Sequence, residues 1–203
     1  MINYSSYTLT EKNYYPHKHP KKQIVIGNSF NEDMNHFNGW LKRGGGQYKK
    51  VANYSINCDG QIYEHFHSDY YSDFIPYSLH NKNIISIILV NEGWLEYDLK
   101  EKKYINCFGN TTNNPEIIEK RWRNHTFWGN YNKKQIDSLV YLTKYLLEKH
   151  NIIKKVLSHN TFVKDICGFE GVTYRSNWIK DSTDLSPSFD FEIFKNKVEN
   201  NDI

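Results

Sequence analysis

No stretch of this chain approaches the roughly 18 consecutive apolar residues of a membrane-spanning helix. The longest apolar run, Ile84 to Val90, has strand length and is interrupted by Ser86. The first residues, Met1 to Tyr7, carry neither a basic cluster nor an apolar stretch, so no signal peptide of the usual kind is expected. Cysteine is scarce and widely spaced: Cys58, Cys107 and Cys167 include no Cys-x-x-Cys pair. That argues against a disulfide framework and against a cysteine-only zinc site, and reduced thiols are expected. Arginine occurs only at Arg43, Arg121, Arg123 and Arg175. With a formal charge of +3 and short, scattered lysine pairs such as Lys21-Lys22 and Lys133-Lys134, the chain lacks the basic stripe that nucleic acid requires. Neither nucleic acid nor a membrane is expected as a partner.

What the chain does have is aromatic mass. Its 203 residues include 16 Tyr, 11 Phe and 5 Trp, enough for a mixed aromatic and aliphatic core in one domain. Residues 1–20 contain Pro16 and Pro20 and read as an arm, 21–195 as the domain and 196–203 as a tail. Ile24-Val25-Ile26 reads as a buried strand ending at Gly27-Asn28. Met34, Phe37, Trp40 and Leu41 have helical spacing, and Gly44-Gly45-Gly46 ends that helix. Tyr54 and Ile56, then Ile62 and Tyr63, flank Asp59-Gly60 as a hairpin, with the positive φ at both central positions that a type I′ turn needs. Ile84 to Val90, apolar on both faces, reads as a central strand. Trp94 to Leu99 and Tyr104 to Cys107 suggest a second ribbon. Lys133 to Lys149 is the clearest helix, and Val156-Leu157 a short strand. Ser158 to Pro187 reads as a long loop of the kind that is more often functional than idle. The fold class is α/β, a central mixed β-sheet flanked by helices.

Six motifs then stand in one order: Gln23-Ile-Val-Ile-Gly-Asn-Ser29, Cys58-Asp-Gly-Gln-Ile-Tyr63, Ile85-Ser-Ile-Ile-Leu-Val-Asn-Glu-Gly93, Gln135-x3-Leu139, Ser158-His159 and Pro187-Ser-Phe-Asp-Phe191. This order resembles the zinc-dependent N-acetylmuramoyl-L-alanine amidases, the family shared by amidase-type phage lysozymes and peptidoglycan recognition proteins. The resemblance covers roughly residues 21 to 195. It implies a zinc held at one end of the sheet by a His ending the first strand, a late His, and a Cys or Asp beyond it. Three protein ligands would leave a fourth position for a water whose pKa the metal lowers. The late His falls on His159. The third ligand falls on Asp184, in the Asp184-to-Phe191 ending, with Cys167 as the alternative; Ile166 to Thr183 then reads as an insertion.

The chain departs from the family at the first ligand, where Gly27 stands before Asn28, and at an oxyanion Tyr, where Ala52 stands beside Asn53 and Tyr54. Zinc is therefore expected to bind weakly or not at all. Asn28, Asn53 and Arg175 are the candidate substrate-binding residues. The plainer alternatives are a structural histidine for His159, a small buried side chain for Cys167, and a turn or cap for Asp184 with Ser186. His65 and His67 share a strand face, where a solvent-facing pair is favoured over a metal pair. Two functions remain open. One is a peptidoglycan amidase cutting between the lactyl group and L-alanine. The other is a catalytically degenerate module that binds cell wall or serves as a phage structural or interaction part. Peptidoglycan is the expected partner, with phage virion proteins as the second candidate and the host cytoplasm or the virion as the location.

Overall fold

The computed structural model describes residues 1–200. Its strands are Ile2–Asn3 (β1), Gln23–Asn28 (β2), Tyr54–Ile56 (β3), Ile62–Glu64 (β4), Ile84–Leu89 (β5), Trp94–Asp98 (β6), Lys103–Asn106 (β7), Ile117–Trp122 (β8), His125–Gly129 (β9) and Gly171–Tyr174 (β10). The helices are Asn35–Lys42 (α1), Ser78–Asn81 (α2), Lys133–Lys149 (α3), Arg175–Trp178 (α4) and Phe191–Glu199 (α5). A mixed six-stranded sheet runs β1-β4-β3-β5-β2-β10, and an antiparallel four-stranded sheet runs β7-β6-β9-β8. Among the described residues no helix is long and apolar enough to cross a membrane.

The run from Ile84 forms a central strand because β5 is covered on both faces. It lies parallel to β2 on one side and β3 on the other. The two-residue period sorts its side chains. Ile85, Ile87 and Leu89, with Ile24 and Ile26, pack under Leu139, Leu142 and Leu146 of α3. Ile84 and Ile88, with Val25, pack under Phe37 and Trp40 of α1. The α3 helix starts where the Asn132 side chain accepts the Gln135 backbone N–H. The buried Gln135 amide then donates to Ile56 O (3.0 Å) and Val90 O (2.8 Å), pinning the helix to the ends of two strands.

Some expectations need correction. The β3–β4 connection is not a two-residue I′ turn: only Gly60 has positive φ, and the turn closes from Gly60 N–H to Asn57 O. Asp59 instead accepts the Gln61 N–H, and a Cβ on Gly60 would lie 2.9 Å from Lys134 O, so α3 seats directly on this glycine. The segment 158–187 is not a loop without structure. It contains β10, which pairs with β2 from Gly171↔Gln23 to Tyr174↔Ile26, so part of 166–183 is a strand of the central sheet. The first twenty residues are woven into the domain: β1 pairs with β4, Leu9 is buried, and Tyr14 stacks on Phe66 at 4.5 Å. The helix α5 runs beyond 195 to Glu199 and buries Phe194 and Val198, while the tail positions 201–203 lie outside the described residues. The second sheet gains β8 and β9, which sequence reading did not foresee.

Candidate functional site

The site lies at the Asn28 end of β2. There β10 stops opposite Ile26, so the Gly27 and Asn28 backbone has no strand beside it on that flank. The chain turns into α4 directly after β10, and its first residue, Arg175, swings across Gly27. The approach is close: a Cβ built on Gly27 would lie 2.5 Å from Arg175 Cδ and 3.2 Å from Phe74 Cζ. Beyond Gly27, Arg175 Nη1 pairs with Asp184 Oδ2 at 3.2 Å, while the Asp184 residue is only 1% exposed. The guanidinium also lies 5.4 Å from the Phe74 ring centre.

The sequence Arg175-Ser-Asn-Trp178 knits this end together. Ser176 N–H donates to Asp184 O (3.1 Å), which fixes the two segments side by side. The Asn177 amide donates to Ser158 O (2.9 Å) and Thr161 O (2.6 Å), and its oxygen accepts the Tyr174 N–H. The indole of Trp178, 1% exposed, donates to Thr173 Oγ1. The asparagine clamp presents His159. Its ring is surrounded by Tyr174, Phe189 and Phe191, and Nε2–H donates to Leu185 O at 3.0 Å.

Electrostatics follow from burial. Burial lowers the His159 pKa to about 4, only partly opposed by the Leu185 carbonyl, so the ring is neutral near pH 7. Because Nε2 carries the proton, the lone pair is on Nδ1. Burial raises the Asp184 carboxyl above the usual carboxylate range; Arg175, the Asn28 N–H and the Ser182 hydroxyl pull it back. The pair is a charge-compensated unit: a buried carboxylate and the cation that makes its burial tolerable.

The remaining candidates separate from this cluster. Cys167 is exposed in the turn Ile166–Gly168 at the opposite end of β2, where the Gln23 amide holds the Ile166 and Phe169 carbonyls. It does not join His159 and Asp184. Asn53 is spent on structure: its oxygen accepts from Ser86 N and Oγ, and its amide reaches His67 O. Ala52 is fully buried. His65 is not solvent-facing. It is 1% exposed, bonds Tyr7 O and Ser55 Oγ, and shares that hydroxyl with His36, while His67 stays exposed beside Asp69. Among the described residues, no three His, Cys, Asp or Glu side chains converge to hold a metal ion. The donor set at the end of β2 therefore does not fit the three-ligand zinc site that the resemblance implies.

A cleft of about 540 Å³ opens beside Arg175, lined by Asn28, Trp40, Arg43, Lys50 and Phe74 among others. No Asp or Glu lines it among the described residues. A neighbouring cleft of about 260 Å³ is the reverse, with Glu32, Glu92 and Glu116 in its wall. Within the basic cleft's rim, the Asn28 side chain is 2% exposed and both of its polar atoms lack partners; Arg175 Nε lacks one too.

The profile of the N-acetylmuramoyl-L-alanine amidase family matches residues 17–169. No curated protein matches the chain. Solved structures share the fold. The amidase LysC from Clostridium intestinale URNW is 16% identical with a TM-score of 0.57, over 97% of this chain and 96% of that one. The Ph2119 endolysin from the Thermus scotoductus MAT2119 bacteriophage is 11% identical with a TM-score of 0.56, over 98% of this chain and 100% of that one. A point mutant of Drosophila PGRP-LB, in complex with tracheal cytotoxin, is 12% identical with a TM-score of 0.56, over 95% and 92%. On the family match across most of its length, this chain belongs to the N-acetylmuramoyl-L-alanine amidase family.

Proposed function

We propose that this chain binds peptidoglycan in the cleft beyond the end of β2 and does not cleave it with a zinc-bound water. The observation that carries this reading is the Arg175 side chain, which covers Gly27 and pairs with Asp184. A zinc water needs three protein ligands and an open fourth position. His159 and Asp184 are two, Gly27 cannot be a third, and Asp184 already holds a cation. Ala52, where the resemblance implies a phenol, adds a second deficit; one missing oxyanion donor typically costs about 10²–10³ in rate. Family membership supports the ligand class, and so does PGRP-LB in complex with tracheal cytotoxin. The walls suit a polymer of sugars and short peptides: Tyr48 and Phe108 offer aromatic faces, and Asn31 and Asn35 offer amides.

The test pairs sedimentation with chemistry. Purified peptidoglycan should pellet the protein while releasing no stem peptide, with or without EDTA. Release that EDTA abolishes would establish zinc hydrolysis instead. Failure to pellet on walls of several chemotypes would remove wall binding and leave a virion protein as the partner to seek.

A further inference from the structure

A side chain at position 27 and the present course of Arg175 compete for the same space. The missing Cβ of Gly27 is the space through which the arginine passes, with Cδ only 2.5 Å from where that Cβ would be. The glycine is thus not simply a lost ligand; it is the condition for the guanidinium to lie over β2. We propose that Arg175 is a built-in cation in the metal's stead, neutralising Asp184 and offering the rest of its fork to a carboxylate of the bound ligand. This rests on the wall-binding reading and names what the cleft takes hold of.

Three observations carry the proposal. First, the guanidinium is only partly used. A guanidinium has five N–H donors; here Nη1 meets Asp184, Nε is buried without a partner, and the side chain keeps 29% exposure at the cleft. Second, the sign of the cleft is local. Arg43, Lys50 and Arg175 line it without a carboxylate, although the whole chain is only +3 and the neighbouring cleft carries three glutamates. Third, the fork is held in place. Ser176 N–H binds Asp184 O, Phe74 lies against the guanidinium, and the aromatic wall leaves little freedom to lose on binding. A planar, fixed guanidinium recognises a carboxylate with two parallel bonds, which a neutral amide cannot match.

Peptidoglycan presents carboxylates from two sources, the stem peptide and, on strands stripped of peptide, the lactyl group. Isothermal titration separates them with two probe pairs: a synthetic stem tetrapeptide against its fully amidated form, and peptide-free glycan against its methyl ester. In the wild type the acid of one pair should bind at least about tenfold tighter than its neutral partner. Which pair shows the preference identifies the source. Arg175→Lys keeps the charge that balances Asp184 but has no fork, and should cut the preference at least about threefold. Equal binding of acid and neutral forms, or a preference undiminished in Arg175→Lys, overturns the proposal.

Zinc titration tests the stand-in itself. Gly27→His alone should gain no zinc affinity, because the arginine remains; Gly27→His with Arg175→Ala should gain at least about tenfold over either single variant. A folded double variant without that gain, or tight stoichiometric zinc in the wild type, overturns the stand-in; if the double variant does not fold, the Arg175→Lys titrations still decide. Sedimentation distinguishes the two readings. Wall retention without carboxylate preference sinks this inference alone, whereas loss of retention sinks the binding function as well.

Discussion

At the Gln23 end of β2 the side-chain amide donates to Ile166 O (3.1 Å) and Phe169 O (2.7 Å), and its oxygen accepts from Thr173 Oγ1. At the other end of the same strand, the Asn28 amide is equally buried and has no partner at all. Buried polar groups in folded proteins are overwhelmingly paired, so an unpaired one marks a place that stability did not shape. The first end closes the sheet onto the turn at 166–168; the second carries Arg175, Asp184 and the basic cleft. One strand thus shows the difference between amides that hold the fold and an amide kept despite it.

The largest expected effect is acid sensitivity, and it divides between the two regions. Burial lowers His36 and His150 to about 4 and His65 to about 3, all in the packed body, and His159 to about 4 at the site. With folded pKa values below the ordinary 6.5, these groups take up protons on unfolding. Stability is full above pH 6.5 and falls as pH drops toward 4, by on the order of 1–2 kcal/mol per histidine at pH 5. Asp184 and Glu64, raised by burial, act in the opposite direction and offset part of the loss. Denaturant titrations at pH 7 and pH 5 should show the decline, and His159→Gln should reduce it by no more than the site's share. A flat profile would refute the buried, neutral assignment.

Next comes Arg175→Ala, which leaves Asp184 buried without its cation, at a cost of about 3 kcal/mol. The carboxyl can escape by protonation, so the loss should grow with pH and shrink below pH 5. A pH-independent loss of the same size would mean packing alone is responsible. Gln23→Ala should cost about 2 kcal/mol, because two carbonyls lose their donor inside the protein. Asn28→Ala, at the other end of the strand, should stay within about 0.5 kcal/mol, since no hydrogen bond is lost. Equal losses at Gln23 and Asn28, measured as denaturation midpoints, would erase the contrast between the two ends.

Much of the fold was legible because its signals are local and repeated. Ile84 to Val90 announces a strand covered on both sides, and the helix from Lys133 to Lys149 begins and ends at the expected residues. The strand β10 was illegible for a physical reason. Its four residues are too few to show a period, and they are buried only because β2 is beside them. The helix α5 carried a readable pattern, Phe191, Phe194 and Val198 after the Asp190 cap, that lay beyond the last motif. At the site, the motif order led to His159 and Asp184, and Arg175 stood out within its segment. Nothing in the spacing showed that Gly27 and Arg175 are neighbours, since they lie 148 positions apart in the chain.

The sequence by itself determined the sheet's apolar centre, the long helix and the glycine at position 27 near the end of the first central strand, because each of these is a matter of residue type or of spacing along the chain. Only the tertiary structure decided what fills the space beside Gly27. Charge and exposure are set by which segments meet, and the meeting of β2 with the chain after β10 makes an arginine the cation that Asp184 faces.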